Sequence, residues 1–403
     1  MTTTERIAAG LLALALPAAA FAIAALDAPM VEQQQRAELE RHPGAPRALY
    51  ELAAALARQG KTEPAFDLLQ RLAAMGLALD PGTDIDFAGL RGRERFQKIQ
   101  AELKANARPQ GRARTAFQVQ RPGFFPEGIA YDAERGRFFL GSVHARRVVA
   151  VDRKLRSADF GAAADGLWSV LGMTVHGREL WLAESATPAM TGAAPELAGR
   201  TGLAVLDLDS GRLKARYPLP PENGKDHFFG DVAVSASGHV FTTDSIGGGF
   251  YELDPASGNY RLLANTLRSP QGMAIDEARG RVYLSDYNLG LLRFDLADGR
   301  LQPVGAPDDA CVYGIDGLYW DRGALVAVQN GVFPYRVLRL ELDAAGANVT
   351  RAAVLASGLP QFNEPTLGVI VGRSFYFVAN SLWDRKPGDG ERELARVMSL
   401  RLP

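Results

Sequence analysis

PQGMAIDEARGRVYLSD, residues 270–286, decides the fold. Small and apolar side chains alternate from Pro270 to Asp276, turn residues surround Gly280, and alternation resumes from Arg281, the pattern of an antiparallel β-hairpin. Five other stretches repeat it: PEGIAYDAERGRFFLGS (126–142), LGMTVHGRELWLAES (171–185), GDVAVSASGHVFTTDS (230–245), DGLYWDRGALVAVQN (316–330) and PTLGVIVGRSFYFVANS (365–381). Indexed at Glu127, Leu171, Gly230, Gln271, Asp316 and Pro365, the copies lie 44, 59, 41, 45 and 49 residues apart. From each index residue to the polar residue that ends the second strand (Ser142, Glu184, Asp244, Asp286, Asn330, Asn380) the separation is 15, 13, 14, 15, 14 and 15. A third strand follows in every copy, as in LLRFDL (291–296) and RVLRLELD (336–343), and outer strands such as YRLLA (260–264) complete five of them. Repeats of about 40–50 residues with four strands each are what a β-propeller requires. The expected fold is therefore mainly β, a six-bladed propeller with four-stranded blades.

The sixth copy stops after its third strand, because the chain ends at Pro403. A bare edge there would expose a row of unpaired backbone groups. Residues Ala113 to Gln120 alternate correctly to fill it, so they are expected to form the outermost strand of the last blade, which gives a propeller spanning 113–403. Ahead of it, residues 31–108 have helical period. RALYELAAALARQG and EPAFDLLQRLAAMG form a helical hairpin around a Gln59-Gly60-Lys61 turn, and another helix is expected over Arg93 to Ala105. The hairpin loosely resembles one tetratricopeptide-type repeat, with Leu52, Ala53, Ala65 and Leu69 near its close-packing positions. A small helical cap on the propeller and a surface for a protein partner are both open readings.

Residues 1–30 read as a signal peptide or an N-terminal membrane anchor. Ile7 to Leu26 contain no charged residue, and AFAIAALDA offers small residues for cleavage. Either outcome exports the chain, to the periplasm or the extracellular space, free or tethered to the membrane. Residues Arg91 to Arg114 hold eight Lys or Arg against two Asp or Glu, which reads as a solvated face or as a patch for anionic lipid.

Composition excludes other classes. Over 403 residues, 45 Lys and Arg balance 46 Asp and Glu, so no basic field is available for a nucleic-acid backbone. The single cysteine, Cys311, rules out an intramolecular disulfide, a thiolate zinc cluster and an iron–sulfur site. Nucleophile-elbow, phosphate-loop and His-Glu-x-x-His motifs are absent.

In a propeller the inner strand starts, and the second strand ends, on one face near the axis. Glu127, Gln271 and Asp316 from the first set, and Glu184, Asp244, Asp286, Asn330 and Asn380 from the second, are expected to gather there. Asp231, Glu364 and Trp383 join them as candidate pocket residues. Oxygen donors of this kind suit a hard cation, whereas an Asp or Asn closing a strand also serves simply to bind turn amides. Long connections at 185–201, 218–229 and 381–394 should shape the pocket, with Phe228, Phe229, Phe333 and Trp383 as apolar lining.

Pro126-Glu127-Gly128, Asp231, Pro270-Gln271-Gly272, Asp316-Gly317 and Pro365-Thr366 resemble the senescence-marker-protein and gluconolactonase family of six-bladed propellers, over roughly Thr115 to Pro403. The resemblance implies hydrolysis of a lactone or related ester, with one divalent cation (Ca2+ foremost, or Mg2+, Mn2+ or Zn2+) held by a glutamate of blade one, an asparagine of blade four and an aspartate of blade five. Matched by motif, these are Glu127, Gln271 and Asp316. Two departures stand out: the blade-four asparagine is Gln271, and the Asn-Asp pair of blade three is Gly230-Asp231. The resemblance makes Asp316 the general base, and His227 and His144 are the histidines expected near that face. A propeller that binds a small ligand or a protein without turnover is the alternative.

Overall fold

Six antiparallel sheets stand around one axis, each built from one copy of the repeat. Their inner strands are Pro126–Asp132, Ser169–His176, Phe229–Val234, Pro270–Asp276, Ile315–Asp321 and Gly368–Val371. Each packs against the next, and the last returns to the first. This is a computed structural model, and it describes residues 27–403 apart from 122, 193, 223 and 384–393. The leader at residues 1–26 and most of the 381–394 connection lie outside the described residues.

Ring closure is as the alternation predicts. Arg114–Val119 pairs antiparallel with Ala395–Arg401 and completes blade six, with Phe117 opposite Val397 and Val119 opposite Ala395. Phe117 and Val119 are buried there, while Thr115 and Gln118 face solvent. The chain makes one pairing that the alternation did not foretell: Gln110–Gly111 adds a fifth strand to blade five, against Val349–Ser357. The connection from the helical segment thus joins blades five and six before it enters blade one.

The helical segment comprises α1 (Ala28–Arg41), α2 (Pro46–Arg58), α3 (Thr62–Ala74) and α4 (Glu94–Ala105). The boundary at residue 30 drawn for the leader falls inside α1. Helices α2 and α3 are the expected hairpin, and Leu52, Ala53, Ala65 and Leu69 are buried. Their apolar stripe does not stop at the helices. Leu49, Phe66, Phe87 and Phe96 belong to one continuous core with Val312, Tyr313, Ile315 and Leu338 of the propeller. The contact is also polar. Arg336, buried in blade five, donates from Nη1 to the carbonyls of Met75 (2.9 Å) and Gly76 (3.2 Å) at the C-terminal end of α3, and from Nε to Gln329 Oε1 (2.5 Å). A cation there matches both the free carbonyls and the negative end of the helix dipole. Arg336→Ala leaves two buried acceptors and one half-buried one without this donor and is expected to cost about 3 kcal/mol, read as a lower urea midpoint. Arg336→Lys should recover little, because an ammonium lacks the fork that spans both partners.

Phe333 belongs to this junction and not to a pocket. Its carbonyl accepts from Ala78 N (2.8 Å), and its ring is 39% exposed beside Tyr335. Several of the basic residues in 91–114 are paired within the segment: Arg95 with Glu63 and Asp67, Lys98 with Glu94, and Lys104 with Asp80. Among the described residues, no helix is long and apolar enough to cross a membrane.

Candidate functional site

The inner strands do more than line the axis. In blades one to five the pairing between first and second strand slips near the index residue: between Pro126 and Ile129, Val170 and Met173, Phe229 and Asp231, Pro270 and Met273, and Ile315 and Leu318. A bulge redirects a side chain that regular pleating would send into the sheet. Four of the redirected residues, Glu127, Asp231, Gln271 and Asp316, meet at one cavity with Leu171, Phe228, Leu367 and Trp383. Hydroxyls of neighbouring blades hold the bulged carbonyls: Thr366 donates to Glu127 O (2.9 Å), Thr243 to Gln271 O (2.6 Å) and Ser285 to Asp316 O (3.3 Å). The glycine that follows the index residue has a steric reason. A Cβ on Gly272 would stand 2.4 Å from Asp316 O, and one on Gly172 would stand 2.2 Å from Asp231 Oδ1. The carboxylate of Asp231 occupies the room that Gly172 leaves.

Each acid is held from behind. Trp383 Nε1 donates to Glu127 Oε2 (2.7 Å), Asn330 Nδ2 to Asp316 Oδ2 (2.7 Å), and Val232 N to Asp231 Oδ1 (2.9 Å). Gln271 is oriented by its amide hydrogens, which reach Ser269 Oγ (3.0 Å), so its oxygen points the other way, 3.8 Å from where a Cβ on Gly230 would be. The two departures from the family motif therefore fit together. The longer blade-four amide extends beside the position that blade three has emptied.

Electrostatics set this centre apart. Burial pushes Asp231 up to about 7, against the N–H groups of Val232 and Met273. Burial also pushes Asp316 up to about 7, with Asp231 raising it further and the Asn330 amide opposing. Glu127 is raised well above the usual carboxylate range by burial first, then by Asp316, Glu364 and Asp231, while Trp383 opposes. Among the described residues, no Lys or Arg lines the cavity. Three acids crowded without a counter-charge are costly unless protonated or joined by a cation.

Of the hairpin-end residues, Asn330 alone reaches this centre, through Asp316. Glu184 accepts from Trp168 N (2.9 Å) and pairs with Arg216 (2.9 Å); Asp244 accepts from Phe228 N and Gly247 N; Asp286 binds the N–H groups of Arg268, Ser269, Asn288 and Leu289; Asn380 accepts from Arg396 N. Those four close turns, because a carboxylate or amide at a strand end finds backbone N–H groups nearer than the axis. Glu364 stands at the rim, with Ser381 Oγ donating to its Oε2 (3.0 Å). It and Leu382 hold left-handed backbone, φ 54° and 64°, on either side of that bond, a strain that tends to gather at functional sites.

Neither histidine is among the cavity's lining residues. His227 Nδ1 bonds Asp244 Oδ2 (2.5 Å), which raises its pKa, and His144 is tied to Ala189 O (2.5 Å) and Thr191 Oγ1 (2.9 Å) beneath the 185–201 connection. That connection is held to blade one at His144 and Arg146, and none of its described residues lines the cavity. Phe228 and Trp383 do line the cavity, whereas Phe229 is fully buried between blades. Tyr287, Ser269 and Ser245 hold the donors in place and went unread, because nothing in the repeat marks them.

The residues fit a hard divalent cation in chemistry: oxygen donors, net negative charge, and outer partners that orient each donor. Among the described residues no three His, Cys, Asp or Glu stand close enough to hold an ion by themselves. Glu127, Asp316 and the Gln271 amide, the donors named by the resemblance, line the same cavity.

No protein-family model and no curated protein sequence matches the chain. Solved structures do. A gluconolactonase from Xanthomonas campestris superposes with a TM-score of 0.49 at 16% identity, covering 74% of this chain and 92% of that one. The PQQ-bound aldose sugar dehydrogenase of Streptomyces coelicolor gives 0.51 at 15%, covering 72% and 98%. A luciferin-regenerating enzyme gives 0.50 at 12%, covering 72% and 95%. At identities this low the likeness is one of fold: the chain is a six-bladed β-propeller.

Proposed function

We propose that the chain is an exported hydrolase that opens a lactone or related ester at the axial centre, with a divalent cation, Ca2+ foremost, held by Glu127, Gln271 and Asp316. The observation that carries the reading is the meeting of three buried acids and one oriented amide at one cavity, with no basic residue among its described lining. Bound there, the cation would polarise the ester carbonyl and stabilise the oxygen that becomes negative on attack. The chain's own groups do the rest. Asp231, pushed up to about 7, suits the removal of a proton from water near neutral pH, and it takes the base role that the resemblance gave to Asp316. Leu171, Phe228, Leu367 and Trp383 surround the polar centre with apolar surface and keep bulk water from it.

The cavity itself is about 10 Å3, room for one ion or water. A substrate therefore sits at the mouth and admits only a reacting oxygen. That narrowness is also what favours the second reading, a propeller that binds a ligand and does not turn it over. Metal analysis of the purified chain, with a panel of lactones and aryl esters assayed with and without chelator, separates the two. The hydrolase reading expects stoichiometric metal and chelator-sensitive turnover; turnover indifferent to chelator and to Glu127→Gln overturns it.

A further inference from the structure

We propose that Tyr287 is a positioning residue for Asp316, acting through Asn330, and that it sets the affinity of the axial centre for a divalent cation. The inference rests on the cation reading above. Tyr287 lies just past the second strand of blade four, and its backbone is fixed on both sides: its N–H donates to Ser269 O (3.0 Å), and its carbonyl accepts from Gly314 N (3.3 Å). Asp286 pins the turn around it through four backbone N–H groups. The ring is 4% exposed. Its hydroxyl donates to Asn330 Oδ1 at 2.6 Å, and Asn330 Nδ2 donates to Asp316 Oδ2 at 2.7 Å.

The direction of this chain follows from chemistry. Burial, with Asp316, Glu364 and Glu127 nearby, keeps the phenol protonated, so it is a permanent donor. A permanent donor settles which way the Asn330 amide points, since its oxygen must face Tyr287. The amide hydrogens are then presented to Asp316. Without the hydroxyl, the amide is free to turn its oxygen toward the carboxylate, where two acceptors would oppose each other. Asp316 would lose the hydrogen bond that holds its carboxylate in place at the cavity. Groups behind metal ligands typically change affinity about 10- to 100-fold when removed.

The same tyrosine joins the helical segment to the centre. It lines a cleft of about 520 Å3 together with Glu38 and Arg41 of α1 and Arg47 and Glu51 of α2.

Tb3+, a luminescent stand-in for Ca2+, tests this in the full chain at pH 7, with emission excited through Trp383 beside Glu127. Tyr287→Phe keeps the ring and removes only the hydroxyl, so the melting temperature without metal should stay close to that of the parent. The expected result is a 10- to 100-fold weaker Tb3+ affinity with unchanged emission at saturation, and a Tyr287→Phe/Asn330→Ala double variant no weaker than Asn330→Ala alone. Equal affinity in the parent and Tyr287→Phe overturns the positioning role while leaving the cation reading intact, as does a double variant that loses the product of both effects. A parent that binds no Tb3+ or Ca2+ overturns the cation reading, and the inference with it.

Discussion

Asp316→Asn is expected to lower hydrolysis and divalent-cation binding on the order of 10³-fold and, in the same protein, to make the cation-free fold more stable above neutral pH. Both effects come from one carboxylate. The loss of function follows from removing a negative donor at the centre of charge development. The gain in stability follows from linkage. Asp316 and Asp231 are each raised to about 7 in the folded chain, against about 3.9 when unfolded. As pH rises from about 4 to about 7 the unfolded chain ionises while the folded one holds its protons, so stability falls across that window and levels off above it. Three pKa units amount to about 4 kcal/mol per acid, an upper bound for groups that repel each other. Asparagine at 316 carries no such penalty and can still accept from Asn330. Thermal melts of the chelated protein should therefore rank Asp316→Asn near the parent at pH 4 and well above it at pH 8, and Ca2+ should stabilise the parent more at pH 8 than at pH 5. A variant no more stable than the parent at pH 8 would mean that the acids do not burden the fold, and the case for a cation that relieves them would fall.

The division between what was legible in the residues and what was not has a physical basis. Hairpin spacing is a local property: a strand, a tight turn and a returning strand leave their period in the chain, so six copies and their shared index position could be read directly. The convergence of Glu127, Gln271 and Asp316 followed from that index. Asp231 is one residue out of step with the others, and only the bulge between Phe229 and Asp231 brings it to the same cavity. The hairpin-end residues misled because the same spacing serves two ends. Asp244 and Asp286 sit at the right register but turn back to amides of their own loops, and Asn330 escapes that only because Tyr287 and Asp316 bracket its amide. Trp383 was read as apolar lining; its indole N–H on Glu127 is a polar contact between residues 256 apart, which no local pattern encodes. The docking of α3 on Arg336 is of the same long-range kind.

Phe117→Asp, or Val119→Asp, is expected to open the ring and leave little folded protein at 37 °C, whereas Gln118→Asp between them should change stability by less than about 0.5 kcal/mol. The three positions share one strand and differ in which way they face. Phe117 is 6% exposed and Val119 1%, in a core with Phe124, Leu140 and Val397, while Gln118 is exposed. The Phe117 ring also meets Phe138 of blade one at 5.2 Å between centroids, so this strand seals blade six and braces the neighbouring blade together. A carboxylate at either position would be buried among apolar side chains, and its desolvation costs several kcal/mol beyond the packing lost. Against a total stability of about 5–15 kcal/mol, one such change suffices. The effect should exceed that of an equal change in a mid-ring blade's outer strand. Without Arg114–Val119, the edge of Ala395–Arg401 is bare and the strand that runs from blade six into blade one is lost, leaving the two blades joined only by their inner-strand contact. Soluble yield and limited proteolysis of the three variants give the comparison. Comparable behaviour of Phe117→Asp and Gln118→Asp would show that this strand is dispensable, and that the ring is held shut by the inner-strand contact between blades six and one alone.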